Sequence, residues 1–333
     1  MKHIFNILRI VIALALLTWL LSKVNLKESI SQMRSAHPLF LLLSVITFLF
    51  LILISVWRWK IILNARNQHF ATGYLTKVYF AGWFFNNILP TSIGGDVIRV
   101  IYSIKENNKA LAFSATFVDR MIGFVGLFFF ALCASFSLLI LRRQTSFLVL
   151  NIFGFLILLL IVLILFSDRA HRMFSKIFGR IKIFRIGEIF EKVYATVKEY
   201  RKFKMALFLS FLLSLLLQAD FALTWYFAGY AVGAKISVLY YFLYIPIIGL
   251  LTMIPLSIGG LGIRENSFVA FFSNLGLAET IATSTSLLFL IINFIYAIIG
   301  GIVFLFLKRR KEIKKEGYDV TFAQTKPGEC KTL

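Results

Sequence analysis

Two cysteines in 333 residues, Cys133 and Cys330, exclude a disulfide framework and any paired-cysteine metal site. Histidine is equally sparse: His3, His37, His69 and His171 are scattered. No His-Glu-x-x-His, no Gly-x-Ser-x-Gly and no Walker lysine after a glycine-rich loop occurs, so the familiar hydrolase and nucleotide-handling motifs are missing. No catalytic residue, metal ligand or cofactor is expected. Acidic residues number 15 against 36 Lys and Arg, which leaves a formal charge of +21. Proline is scarce, five in all, so the position of each is informative.

What the chain has instead is apolar length. Hydrophobic residues make up 59% of it, above the roughly 45–50% of soluble domains. A helix crosses a bilayer with about 20 apolar residues. Such runs occur at 4 to 21, 39 to 57, 115 to 141, 149 to 166, 206 to 232 and 281 to 307, which predicts six transmembrane helices. The first run is followed by Ser22-Lys23-Val24-Asn25 and not by a small-x-small cleavage site, so it reads as an uncleaved span.

A strongly basic chain might suggest nucleic acid. Here the basic residues sit between apolar spans, and no basic face with base-stacking aromatics is visible, so no nucleic-acid partner is expected. Retention of positive loops on the cytoplasmic side and attraction to anionic headgroups explain the charge better. The densest basic stretch, 167–205, is predicted to be cytoplasmic. Its apolar residues Ile186, Ile189, Phe190, Val193, Tyr194, Val197, Tyr200 and Phe203 recur at helical spacing, which predicts an amphipathic segment on the membrane surface. Residues 309–333 read as a polar basic cytoplasmic tail after a membrane domain at 1–308. Segments 229–237 and 273–280, nearly devoid of Lys and Arg, are predicted to face outward. Arg142 and Arg143 fall on the outer side and run against the rule. The protein is thus expected to be a multi-pass cell (inner) membrane protein with both termini in the cytoplasm; its oligomeric state is not legible.

Two apolar stretches, 74–104 and 238–272, are broken near their middles by Pro90 or Pro255 and a Gly-Gly pair. Each arm of about 16 residues reaches roughly 24 Å, short of the ~30 Å hydrocarbon core. Re-entrant helical hairpins fit this best, because exposed backbone at a break must line protein or a water cavity. Pairs of full-length tilted helices are the alternative. The first break reads Pro90-Thr-Ser-Ile-Gly-Gly-Asp-Val-Ile-Arg99 and the second Pro255-Leu-Ser-Ile-Gly-Gly-Leu-Gly-Ile-Arg264, identical at seven of ten positions. The second span is expected to end at a basic cytoplasmic loop (Arg58, Lys60, Arg66), so the first hairpin is predicted to enter from the cytoplasm and the second from outside, an inverted repeat of the kind found in secondary transporters. The fold expected is an all-α membrane protein with six spans and two broken hairpins.

Charges at membrane depth cost about 2.5 to 3.5 kcal/mol each on insertion scales and are normally paired or face a cavity. In each repeat Gly94-Gly95 or Gly259-Gly260 is expected to open a half-helix whose free N–H groups, with Ser92 or Ser257, point at an anion. Arg99 and Arg264 are then the headgroup ligands. The plainer reading is a serine cap, packing glycines and an arginine that pairs with Asp96 or another acid. Asp96, Asp119, Glu265 and Asp220 are candidate pairing or switching acids, and Arg120, Pro90 and Pro255 candidate gating positions.

With Asn86-Asn87-Ile88-Leu89-Pro90, Gly94-Gly95-Asp96, Arg99, Asp119-Arg120, Pro255 through Gly262 and Arg264-Glu265 on the page, the chain resembles the transmembrane domain of lysylphosphatidylglycerol synthase/flippase proteins, over about residues 5 to 308. The resemblance implies a domain that moves a lipid, classically an aminoacylated phospholipid, between leaflets; the reading adopted is a translocase for a phospholipid or lipid-linked anionic substrate, with anionic membrane lipids and a separate lipid-modifying enzyme as expected partners. Full-length synthases add a soluble aminoacyl-transferase domain, whereas a short polar stretch, Lys308 to Leu333, follows Leu307 here, so a stand-alone, non-enzymatic form is expected. Two rival readings are a membrane enzyme or subunit that transfers an aminoacyl or glycosyl group to a lipid, and a non-transporting scaffold.

Overall fold

A computed structural model describes residues 26–89, 94–104, 109–143, 146–166, 197–252 and 257–307, with isolated positions 15, 18, 19, 22 and 194. Every described element is helical. In chain order these are α1 (Leu26–Arg34), α2 (Pro38–Ala65), α3 (Thr72–Ile88), α4 (Gly94–Tyr102), α5 (Lys109–Arg142), α6 (Ser146–Phe166), α7 (Lys204–Ala231), α8 (Val238–Thr252), α9 (Ile263–Ser273) and α10 (Glu279–Leu305).

Four of them, α2, α5, α7 and α10, are long and apolar enough to cross a membrane; the stretch Asn151–Ile164 of α6 and all of α8 are shorter apolar helices. The predicted run at 4 to 21 lies outside the described residues except for positions 15, 18 and 19. α2 starts with Pro38 in its first turn, where a missing N–H costs nothing, and then runs 28 residues, about 42 Å at 1.5 Å per residue. It continues past residue 57, so Arg58 and Lys60 belong to the helix and not to a cytoplasmic loop as the sequence pattern suggested. Apolarity ended at Trp57, but nothing in Arg58-Trp59-Lys60-Ile61 breaks a helix.

Helix packing follows the rules of a lipid solvent, where close approach and interhelical hydrogen bonds do the joining. α2 pairs most extensively with α7, and α10 with α3. Ser44 Oγ donates to the Thr224 carbonyl at 2.9 Å and Tyr296 Oη to the Val45 carbonyl at 2.8 Å. A Cβ on Gly300 would collide with the Phe80 carbonyl, so only glycine lets α10 come this near to α3. Asn293 ties the same pair, donating to Asn87 Oδ1 at 2.6 Å and accepting from Trp83 Nε1 at 3.0 Å. Trp225 stacks on Phe289 at 4.1 Å and on Phe268 at 4.6 Å between ring centroids, filling the core between α7, α9 and α10. Large apolar side chains such as Phe50, Trp57, Phe153, Leu216 and Ile298 point outward. Lipid is the solvent that such a girdle suits.

The ends of the bundle can be told apart. His37 N–H donates to the Ala231 carbonyl at 2.8 Å and Ser284 Oγ to Gln32 Oε1 at 2.8 Å, so α1, α7 and α10 share one end with the start of α2. Arg66 pairs with Glu199 and Lys60 donates to Thr72 Oγ1 at 2.7 Å at the other. Of the 167–205 segment only its final part is described. There Tyr194, Val197 and Tyr200 are buried, the last two packed against Trp59, Ile62 and Leu63. These three residues of the expected surface face are therefore buried against protein, while Ile186, Ile189, Phe190 and Val193 lie outside the described residues.

Both broken stretches double back. α3 starts at the Arg66 end, and Tyr74 Oη in its first turn donates to the Tyr102 carbonyl at the close of α4 at 2.8 Å. α8 starts at the Ala231 end, and Tyr241 meets Phe272 of α9 at 4.6 Å between ring centroids. With 17, 9, 15 and 11 residues, none of these helices spans the about 30 Å of a hydrocarbon core.

The two breaks are not built alike. Gly94-Gly95 are the first residues of α4, as expected. Gly259 and Gly260, by contrast, precede α9 in a left-handed turn with φ of 57° and 76°, and Gly262 follows at 83°. Such angles favour glycine because a Cβ clashes there. Gly262, which stands where the first copy has Val97, keeps the helix from starting until Ile263, so the second Gly-Gly pair does not open a half-helix.

Candidate functional site

A cavity of about 300 Å³ lies between α2, α3, α4, α5, α7 and α8, lined among others by Arg58, Tyr79, Trp83, Asn86, Asp96, Arg99, Asp119, Arg120, Phe124, Gln218 and Gly249. That is the small end of the about 300 to 1,000 Å³ of ligand pockets.

Its chemistry centres on Asp119 in the first third of α5, only 1% exposed. Arg58 of α2 grips this carboxylate with two nitrogens, Nε to Oδ1 at 2.8 Å and Nη2 to Oδ2 at 3.3 Å. Its remaining nitrogen, Nη1, donates to Ser214 Oγ of α7 at 2.9 Å. Arg99 of α4 brings Nη2 to Asp119 Oδ2 at 2.7 Å and Nη1 to Asp96 Oδ1 at 3.2 Å. Asp96 Oδ2 in turn meets Arg120 Nε at 3.0 Å. Five charges thus alternate in a chain, Arg58, Asp119, Arg99, Asp96, Arg120. Buried charges survive in a low dielectric only in such paired, hydrogen-bonded geometry.

Arg99 is held on its faces as well as its edges. Its guanidinium lies 4.5 Å from the Trp59 ring centroid and 4.9 Å from that of Tyr79, cation–π distances that fix the plane of the group. Nε of Arg99 is buried without a hydrogen-bond partner among the described residues.

The backbone explains how α4 comes so close. A Cβ on Gly95 would run into the Gly82 carbonyl and the Asn86 side chain, so a glycine there seats α4 on α3. Asn86 Oδ1 accepts the Gly95 N–H at 2.8 Å. This N–H, expected to face an anion, is therefore used inside the protein to cap α4.

Of the residues singled out from sequence, Asp96, Arg99, Asp119 and Arg120 converge on the cavity, with Gly94 and Gly95 buried at the base of α4. Arg264 is not among its described lining. It pairs with its own neighbour, Nη2 to Glu265 Oε1 at 2.6 Å, and lies 4.9 Å from the Phe289 ring centroid. Glu265 Oε2 accepts the Gly262 N–H at 2.6 Å, so this pair is built into the cap of α9. Ser257 is buried, and its Oγ has no partner among the described residues. Asp220 is buried in α7 and is not among the described lining, with Oδ2 unpartnered among the described residues. Ser92, Pro90 and Pro255 lie outside the described residues. Arg58, Ser214, Tyr79 and Trp83 were not singled out, and Asn86 was named only within the family motif. The one available signal was the arginine flanked by two tryptophans, Trp57-Arg58-Trp59, at the edge of an apolar run.

Comparison with known proteins fits this architecture. The family described as "Lysylphosphatidylglycerol synthase TM region" matches residues 6–301. A UPF0104 membrane protein of Pyrococcus horikoshii is 26% identical over an alignment covering 93% of this chain and 98% of the relative. UPF0104 membrane proteins of Methanothermobacter thermautotrophicus and Methanocaldococcus jannaschii are each 22% identical, with 88% and 92% of this chain and 92% and 96% of the relatives covered. The chain therefore belongs to the lysylphosphatidylglycerol synthase TM region family of integral, multi-pass membrane proteins.

Proposed function

We propose that this protein is a membrane translocase for a phospholipid or lipid-linked anionic substrate. The headgroup enters the arginine-lined cavity while the acyl chains stay in the bilayer. The observation that carries this reading is the cavity: three arginines and two aspartates gathered within an apolar helix bundle, a costly arrangement that a core of ordinary side chains would avoid. Arg99 is clamped by two carboxylates and two rings and serves as the fixed part of the site. Arg120 is the more exposed part, its side chain 31% exposed, and meets the headgroup in exchange for Asp96.

Two further features support movement of a substrate over a static role. The hairpin α3–α4 starts and closes at one end of the bundle and α8–α9 at the other. Their breaks approach each other, a Cβ on Gly259 standing 3.6 Å from the Asn86 carbonyl. We read this as an inverted repeat within a six-span domain, with both termini cytoplasmic in the cell membrane. Alternating access follows if one hairpin loosens while the other holds. The chain carries out no chemical step; its partners are anionic membrane lipids and a separate lipid-modifying enzyme.

The test is reconstitution of the purified protein in vesicles carrying a fluorescent phosphatidylglycerol analogue, with loss of fluorescence to a membrane-impermeant quencher as the readout. Transfer between leaflets should be accelerated over protein-free vesicles and lost in Arg120→Gln. No acceleration by protein shown to be folded would overturn the proposal.

A further inference from the structure

Beside the five linked charges, the cavity wall carries neutral amides with nothing to hold. Gln218 of α7 and Asn86 of α3 both line it, half-buried. The Gly95 N–H can only donate, so it draws Asn86 Oδ1 to itself at 2.8 Å and leaves Nδ2 as a donor. Neither that nitrogen nor either end of the Gln218 amide makes a hydrogen bond among the described residues. An amide at membrane depth without a protein partner belongs to a cavity that holds water or a ligand. The two amides are also displaced the same way from the charges. Gln218 is four residues beyond Ser214, which receives Arg58, and Asn86 is seven residues beyond Tyr79, whose ring lies against Arg99. α3 and α7 both run from the Arg66 end. At 1.5 Å per residue the amides stand about 6 and 10 Å past those two contacts, in one direction.

We infer that the cavity reads hydroxyl groups carried next to the headgroup phosphate, so that its substrate is a polyol phospholipid, with a glycerol or sugar beyond the phosphate. This rests on the lipid-headgroup reading above and narrows its substrate class. The phosphate meets the arginines, and the hydroxyls reach Gln218 and Asn86. A hydroxyl both donates and accepts, so one accepts from Asn86 Nδ2 while another pairs either way with the Gln218 amide. An ammonium headgroup fits less well, because it has donors only and needs the carboxylates. Each carboxylate oxygen is already engaged: Asp119 Oδ1 by Arg58, Asp119 Oδ2 by Arg58 and Arg99, Asp96 Oδ1 by Arg99 and Asp96 Oδ2 by Arg120. The C–H faces of a polyol suit the rings of Trp83, Phe124 and Phe221 in the same lining. Gln218 is thereby a specificity residue, its whole amide left for the ligand.

The experiment measures binding, not transport. The purified full-length chain in neutral detergent is titrated with short-chain phosphatidylglycerol and with phosphatidylpropanol of the same acyl chains, which carries the same charge but no headgroup hydroxyl. Phosphatidylglycerol is expected to bind about tenfold tighter, the effect of two hydrogen bonds of ordinary net strength. In Gln218→Leu, a change of similar size that suits an apolar bundle, the ratio should fall to about threefold or less, with folding checked by thermal melt. Equal affinities in the unaltered protein, or an unchanged ratio in folded Gln218→Leu, would overturn the inference while leaving the translocase reading intact. So would phosphatidylethanolamine of the same chains binding as tightly as phosphatidylglycerol. Binding of none of the three lipids would overturn the translocase reading and the inference with it. Free glycerophosphoglycerol distinguishes the source of the headgroup: weak binding supports a lipid, whereas affinity equal to the lipid's would overturn the lipid reading and keep the hydroxyl rule. Should Gln218→Leu fail to fold, the ratio in the unaltered protein decides the matter.

Discussion

Arg99 and Asp119, twenty residues apart on α4 and α5, meet at 2.7 Å inside the helix bundle. Through the same carboxylate Asp119 also holds Arg58 of α2, which holds Ser214 of α7. One buried acid therefore joins four helices. Replacing a buried ion network wholesale with apolar side chains is often neutral or stabilising, whereas removing one partner costs about 3–5 kcal/mol. A network of this kind is thus poor as glue and strong as a fixed charge pattern, the property that a headgroup site needs.

Asp119→Asn should be the most damaging single substitution in the site. It leaves Arg58 and Arg99 facing each other with no carboxylate between them, and a loss of about 3–5 kcal/mol is expected. Thermal unfolding in detergent and folded yield measure it. A variant as stable as the unaltered protein would show that the network is not under strain of this kind.

Arg99→Lys tests geometry against charge. A lysine keeps the positive charge but cannot reach both Asp96 and Asp119 while lying flat between Trp59 and Tyr79. Vesicle translocation should fall about tenfold or more at near-normal folded yield, because orientation, not charge, has been lost. Unaltered transport would mean that Arg99 acts as a point charge only.

Gly95→Ala should loosen α4 from α3. The added methyl meets the Gly82 carbonyl and the Asn86 side chain, and such overpacking typically costs about 1–3 kcal/mol. Gly73→Ala in the first turn of α3 is the control, since nothing lies within 4 Å of its Cβ position. That change should be neutral or slightly stabilising by thermal melt. Equal effects at the two positions would remove the argument for close approach.

Much of this was legible in sequence, for reasons that mark its limits. Apolar length announced α2, α5, α7 and α10, because a span must be apolar throughout. The scarcity of proline and the pairing of glycines announced both breaks. Asp96, Arg99, Asp119 and Arg120 stood out as charges within apolar surroundings, and they do share a site. Arg58 did not, because at the edge of an apolar run a membrane-anchoring arginine and a buried one look the same. The partner of Arg264 was also hidden. Seven identities in ten suggested equivalent roles, yet Gly262 in place of Val97 shifts the start of the helix and turns Arg264 toward its neighbour. Identity of motif does not carry identity of backbone when one residue in it adopts a positive φ.

Sidedness follows from where the basic residues lie. With Cys133 replaced, a cysteine introduced at Asn274, between α9 and α10, should react with an impermeant reagent from outside intact cells, and Cys330 should not. Labelling of Cys330 from outside would reverse the orientation proposed for both hairpins.

Arg264 provides the sharpest separation of the two repeats. If motif equivalence ruled, Arg264→Gln would abolish lipid binding as Arg99→Gln is expected to. The geometry argues otherwise: its guanidinium is spent on Glu265 at 2.6 and 2.9 Å, and Glu265 is wholly buried while capping the Gly262 N–H. Removing the arginine strands a buried carboxylate, so Arg264→Gln is expected to lower folded yield and melting temperature. The double variant Arg264→Gln/Glu265→Gln removes the stranded charge yet keeps a side-chain oxygen able to accept the Gly262 N–H, and should recover most of that loss. Affinity for short-chain phosphatidylglycerol, measured on the folded fraction, should stay within about threefold in both, since neither residue is among the described lining of the cavity. Lost binding in a well-folded Arg264→Gln protein, or no recovery in the double variant, would place Arg264 back on the headgroup and make the second break a ligand site in its own right.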